Sequence, residues 1–272
     1  MTFIEKLNAV WRQNDSLLCV GLDPNWEKLP KHIKQTSEPI FEFCKAIVDS
    51  THDLVCAYKP QIAYFAALGA EDQLLKTLNY IRETYPNIPI ILDSKRGDIG
   101  STAAMYAKES FQRYQADAVT VNPYMGQDSA QPFLDYADKG VVLLCRTSNA
   151  GAGDIQDLKV DGQAIYEKVA LMINNDWNTN NNCCIVVGAT WPEQMKRLRE
   201  ITGDMPFLVP GVGAQGGDVE SLVKAGQTRD GFGLIINSAR GIIYASSEEN
   251  FANAARKVAL DTRDLINKFR YS

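Results

Sequence analysis

In the stretch IILDSKRGDIGST, residues 90–102, a run of aliphatic residues ends in Asp93, Lys95 and Asp98. Side chains alternate faces along a strand, so Asp93 and Lys95 are expected to share one face, with Asp98 following within a turn of chain. Lys59 closes another apolar run, LVCAYK, and can bring a second ammonium group from a neighbouring strand end. Acids and ammonium groups that alternate in a desolvated pocket can keep a lysine protonated and aim its proton at a carbon atom. A surface ion pair, with Asp98 capping the helix that begins near Gly100, would also account for the DSKRGD spacing, but it gives Lys59 no role.

Three further stretches carry polar chemistry. FLVPGVGAQGGD (207–218) is a Gly-rich turn between a strand and a helix, and INSARGI (236–242) repeats the strand-turn pattern one unit later. Backbone NH groups freed by such turns suit a phosphate, and Arg240 adds a charged, directional donor. RTSNAGAGD (146–154) is small and polar, and reads either as an ordinary Asx or Ser turn or as a lid whose Ser148 bonds a planar heterocycle. Asp23 in VGLDP is equally suited to starting a turn before Pro24 and to binding sugar hydroxyls.

The elements that must position these residues are legible as eight aliphatic runs: 17–22, 54–59, 88–93, 117–121, 140–145, 183–188, 205–210 and 231–237. Helical spacing fills the intervals, as in FEFCKAIVDSTHDL, EDQLLKTLNYIRETY, TAAMYAKESFQRY, QAIYEKVALMINN and WPEQMKRLREI, and a last helix runs through ENFANAARKVALDTRDLINKF. Alternating β and α units predict a parallel sheet, and runs apolar on successive residues suit strands covered on both faces. Eight runs without a Pro-, Gly- or Ser-rich linker favour a closed α/β (β/α)8 TIM barrel, formed by residues 1–272 as a single domain, over an open doubly wound sheet. Active sites of such barrels lie at the C-terminal ends of the strands. Asp23, Lys59, the Asp93/Lys95/Asp98 set, Asn122, Ser148, the Pro210-Gly211 pair and Arg240 all fall just past a run, so the polar chemistry is expected at one rim.

Composition narrows the function classes. The net charge of −5 argues against a nucleic-acid surface while leaving room for a local anion pocket. The six cysteines include no CxxC pair and only two histidines accompany them, so buried free thiols in a reducing, cytoplasmic setting are expected rather than disulfides or a metal site. The N-terminal stretch MTFIEKLNAVWRQND is amphipathic and carries charge throughout, unlike a signal peptide, and no run of 18 apolar residues could span a membrane.

Taken in order, VGLDP (20–24), YKPQ (58–61), LDSKRGDIGST (92–102), TVNPYMG (120–126), TSNAG (147–151), VPGVGAQGG (209–217) and the Arg240 turn resemble the orotidine 5′-monophosphate decarboxylase family, in particular its longer bacterial subgroup. The resemblance covers nearly the whole chain. It implies a (β/α)8 barrel without metal or cofactor, acting as a homodimer with active sites at the subunit interface. The implied activity is loss of the C6 carboxylate of orotidine 5′-monophosphate, the last step of de novo UMP synthesis, with Lys95 protonating the C6 carbanion. Asp23 matches the ribose-binding aspartate, Lys59 the lysine of the charged network, and Asp93 the central acid. Asp98, Ile99 and Thr102 match residues given to the neighbouring subunit's site. Ser148 matches the lid serine that reads the pyrimidine, Gln215 and Arg240 the phosphate grip, and Pro210 the pocket wall. One departure is Ala150, where the family's lid usually has proline, which implies a freer lid with more entropy to lose on closing. Two other readings remain open at this point. One is a magnesium-dependent decarboxylase of a 3-keto sugar acid phosphate, whose relatives share the Asp-x-Lys-x-x-Asp pattern; the other is a nucleotide-binding barrel without catalysis.

Overall fold

The computed structural model describes residues 1–211 and 218–270. Its main sheet has eight parallel strands: β1 (Leu18–Leu22), β2 (Ala57–Pro60), β3 (Ile91–Arg96), β4 (Ala118–Val121), β5 (Gly140–Arg146), β6 (Cys183–Val187), β7 (Phe207–Pro210) and β8 (Leu234–Ser238). They are ordered β2-β1-β8-β7-β6-β5-β4-β3, and parallel bridges Tyr58↔Ile90 and Gln61↔Asp93 bring β2 against β3 and close the ring. The eight apolar runs each became a strand, and the TIM barrel is the observed fold. Strands β1, β2, β4, β6 and β8 are buried along their whole length. Both faces of the sheet are therefore covered, as expected for a parallel sheet between a side-chain-filled interior and a shell of helices.

The helices of eight residues or more are α1 (Phe3–Gln13), α2 (Pro39–Thr51), α3 (Glu71–Thr84), α4 (Gly100–Lys108), α5 (Gln127–Leu134), α6 (Ile165–Met172), α7 (Pro192–Thr202), α8 (Val219–Gly226) and α9 (Phe251–Arg270). Helix α1 starts at a capping box, Thr2 bonding the Glu5 NH and Glu5 bonding back to Thr2. Its buried stripe, Phe3, Leu7, Val10 and Trp11, faces the barrel's N-terminal end. There Phe3 lies so close to Gly140 that a Cβ on that residue would fall 2.3 Å from the Phe3 ring. The Lys6 ammonium reaches Asp117 Oδ2 at 2.9 Å, and the opposite end of the barrel is left for the polar rim. Among the described residues a single hydrophobic cluster runs from Phe3 to Ile266.

Two local features go beyond the sequence reading and a third corrects it. Helix α5 forms although Pro132 lies inside it. A two-stranded hairpin, Lys159–Val160 with Gln163–Ala164, stands between β5 and α6, where its two-residue strands are too short to leave a periodic signal. The third concerns β3. Its pairing with β4 runs from Leu92↔Val119 to Arg96↔Val121, so Asp93, Ser94 and Lys95 all stand opposite the single residue Thr120. Lys95 takes the left-handed backbone conformation, φ +47°, which is uncommon for a side chain of this size. Asp93 and Lys95 thus meet because the strand bulges, not because it alternates.

Candidate active site

At the C-terminal rim, Asp93 is held between two ammonium groups. Lys59 Nζ stands 2.7 Å from Asp93 Oδ2 and Lys95 Nζ 2.7 Å from Asp93 Oδ1. The two lysines are not equivalent: the Lys59 side chain is 5% exposed and the Lys95 side chain 48%. Burial alone would raise the Asp93 pKa, but Lys59 and Lys95 outweigh it and hold the carboxyl far below the usual carboxylate range. Burial likewise works against charge on Lys59, yet Asp93 and Asp23 prevail and its pKa lies above that of a free lysine. Asp93 and Lys59 are therefore both kept charged, with Lys59 sealed inside and Lys95 at the mouth.

Thr120 organises this centre, and the sequence reading did not single it out. Its Oγ1 accepts the backbone NH groups of Ser94 and Lys95, each at 2.9 Å, and donates to Asp93 Oδ1 at 2.9 Å. A hydroxyl inside the buried run DAVTV was the available signal. Asp23 follows β1 and is partly buried, with Oδ1 lacking any hydrogen-bond partner among the described residues. Burial raises its pKa, with Lys59 the main opposing influence. The Tyr244 hydroxyl fixes its main chain by donating to the Asp23 carbonyl at 2.7 Å.

Ser148 follows β5 and is half-buried. The loop that carries it is anchored at its start. Thr147 donates its NH to Gln156 Oε1 at 2.9 Å and accepts Trp191 Nε1 on its carbonyl at 3.0 Å. Arg146, 1% exposed, donates to Gln156 and Asp157 at 3.2 and 3.1 Å and stacks over Trp191 at 4.1 Å. Gly188, just past β6, leaves room for Ser148: a Cβ there would lie 2.7 Å from Ser148 Cβ and 2.9 Å from its Cα and N. Pro210 ends β7, where its carbonyl accepts the Ala189 NH at 3.1 Å. Arg240 is exposed at the start of the turn after β8, where it slightly opposes the rise in the Asp23 pKa, and no acceptor pairs with its guanidinium among the described residues. Gln215 lies outside the described residues.

The expected third charge does not join the cluster within this chain. Asp98 Oδ1 bonds the Ile99 NH at 2.8 Å, and neither Lys59, Asp93 nor Lys95 pairs with it. The loop turns outward, leaving Ile99 and Thr102 exposed. Arg96 pins the root of this loop through a two-pronged contact with Glu109, at 3.0 and 3.1 Å. The structure thus gathers Asp23, Lys59, Asp93 and Lys95 at one mouth, distributes Ser148, Pro210 and Arg240 around it, and directs Asp98, Ile99 and Thr102 away. Among the described residues no group of three or more His, Cys, Asp or Glu could hold a metal ion.

Residues 16–257 match the model of the orotidine 5′-phosphate decarboxylase / HUMPS family. An orotidine 5′-phosphate decarboxylase of Cellvibrio japonicus is 62% identical over 272 residues, covering 99% of this chain and 100% of that protein. Among solved structures, the OMP decarboxylase of Leishmania donovani superposes with a TM-score of 0.87 at 39% identity, each chain covered completely. The UMP synthase of the same organism superposes at 0.89 and 40% identity, this chain spanning 57% of the longer one.

Proposed function

On the premise that the chain belongs to the orotidine 5′-phosphate decarboxylase family and converts orotidine 5′-monophosphate to uridine 5′-monophosphate and carbon dioxide, we propose that Lys95 delivers the proton to C6. The supporting observation is the unequal exposure of two lysines that share one carboxylate. Lys59 is enclosed and holds Asp93 in place, whereas the half-exposed Lys95 side chain is open to the mouth where a substrate would lie. The C6–carboxylate bond breaks, its electron pair stays on C6, and the proton of Lys95 Nζ moves to that carbon. The resulting neutral amine regains a proton from solvent. Before transfer, the ammonium stabilises the charge developing on C6 in a setting whose dipoles are already oriented. Asp93, kept ionised, orients Lys95 and Lys59.

The remaining assignments follow the rim. Asp23 takes the ribose hydroxyls, its Oδ1 being a buried acceptor without a partner among the described residues. Ser148 reads the pyrimidine, Pro210 lines the pocket, and Gln215 with Arg240 grips the phosphate, whose binding energy closes the loops. Residues 1–272 act as one domain, and the protein works as a homodimer in which Asp98, Ile99 and Thr102 reach the neighbouring site. In support, Ile99, Met105, Tyr124 and Met125 are apolar and 58%, 60%, 81% and 44% exposed around that loop. The six cysteines are free and buried, which suits a reducing cytoplasm; no described helix is long and apolar enough to cross a membrane.

Lys95→Ala tests the proton donor. Turnover, followed as loss of substrate absorbance, should fall by at least about a thousandfold while uridine 5′-monophosphate still binds. A variant retaining near-normal turnover would remove Lys95 from the chemistry.

A further inference from the structure

We propose that Thr120 is a positioning residue for the decarboxylation, its hydroxyl setting both the Asp93 carboxylate and the backbone that carries Lys95. This rests on Lys95 being the proton donor. Both lone pairs of Oγ1 are taken by the NH groups of Ser94 and Lys95, so its hydrogen has one destination, Asp93 Oδ1 at 2.9 Å. Hydroxyl orientation is thus dictated rather than chosen. Thr120 is 1% exposed, so water does not compete for these bonds.

Two consequences concern the reaction itself. The left-handed conformation of Lys95 carries an intrinsic cost for a non-glycine residue, and the paired NH bonds to Thr120 hold it there. If they are lost, the bulge relaxes and the ammonium loses its aim by a fraction of an ångström or more, which is enough to slow a proton transfer. The second consequence appears after transfer. Asp93 Oδ1 receives Lys95 Nζ at 2.7 Å as well as the hydroxyl. When Lys95 has given up its proton it is neutral, and Thr120 remains as the fixed donor on that oxygen.

Thr120→Val removes the hydroxyl at nearly constant volume, and Thr120→Ser keeps the hydroxyl without the methyl. The expected result is a kcat for Thr120→Val lowered roughly 10- to 100-fold. Affinity for uridine 5′-monophosphate stays within about twofold, and Thr120→Ser returns kcat to within about threefold of wild type. Should Thr120→Val not fold, Thr120→Cys, of similar size but with a poor hydrogen-bonding group, is read against the same expectation. A kcat within about twofold of wild type for the hydroxyl-free variant overturns the assignment. So does an equal loss in Thr120→Ser, which would make packing of the methyl group the cause. Lys95→Ala run in parallel separates the two readings. If it is inactive while Thr120→Val turns over normally, only the Thr120 role falls. If Lys95→Ala retains turnover, the proton-donor reading falls first.

Discussion

Replacing Gly188 by alanine places a methyl group where Ser148 already stands. The new carbon would sit 2.7 Å from Ser148 Cβ and 2.9 Å from its Cα and N, and ordinary contact begins near 3.4 Å. One side must retreat by about half an ångström or more. The Gly188 side is held: its NH donates to the Arg146 carbonyl at 2.7 Å, and the Ala189 NH donates to the Pro210 carbonyl at 3.1 Å. Because the close atoms of Ser148 include its backbone, no rotamer change relieves the clash, so the 148–152 loop gives way. Overpacking typically destabilises by about 1–3 kcal/mol, but a loop near the surface can yield at the low end of that range. Activity should suffer more, because a misplaced positioning group can cost up to about 100-fold. Initial rates should therefore show kcat/KM lowered by about 10- to 100-fold, with thermal unfolding shifted by only a few degrees. Wild-type kcat/KM together with a clear loss of stability would refute the reasoning, since it would mean that the strand moved and Ser148 did not.

Other substitutions probe the buried charges and the rim. Lys59→Met leaves Asp93 with one cation and should destabilise by about 3 kcal/mol, measured by urea unfolding at neutral pH. The depressed Asp93 carboxyl contributes stability that is present above the unfolded-state pKa and lost as pH falls toward its folded value. Without Lys59 that depression shrinks, so acid unfolding followed by circular dichroism should begin at higher pH. Asp23→Asn should do the opposite to stability: the Asp23 pKa is raised, so its charge is a burden at neutral pH and the variant should gain about 1 kcal/mol while binding product more weakly. That gain should vanish at low pH, where Asp23 is protonated. Arg240→Ala should weaken uridine 5′-monophosphate binding at least about tenfold by calorimetry and leave uridine unaffected; an equal loss for both would remove Arg240 from the phosphate grip.

All eight strands were readable because burial on both faces leaves an unbroken apolar run, and the rim followed from where each run stopped. Local chemistry was less readable. The bulge at 93–95 was invisible because it depends on a hydrogen-bonding hydroxyl on another strand, Thr120, and no local pattern predicts that pairing. The outward course of Asp98 was hidden for a related reason: sequence distance to Lys95 is short, but the left-handed turn at Lys95 and the Arg96–Glu109 contact decide where the chain goes next. Trp191 and Gln156 are separated by more than thirty residues and meet only through Thr147 and Arg146, so nothing local announces their hold on the Ser148 loop.

Barrel closure also shapes how the chain must be made. Strand β1 pairs with β8 through Leu18↔Ile236, and α1 docks against residues 117 and 140. During synthesis the first strand therefore waits for more than two hundred residues before its second neighbour exists, and the helix that seals the floor waits for more than one hundred. Through that interval the growing chain carries open strand edges and an uncovered apolar stripe, both prone to pairing with other chains. Pauses on the ribosome or a shortage of chaperones should thus lower the yield of this protein well before they affect a helical bundle of equal length, whose contacts are mostly local.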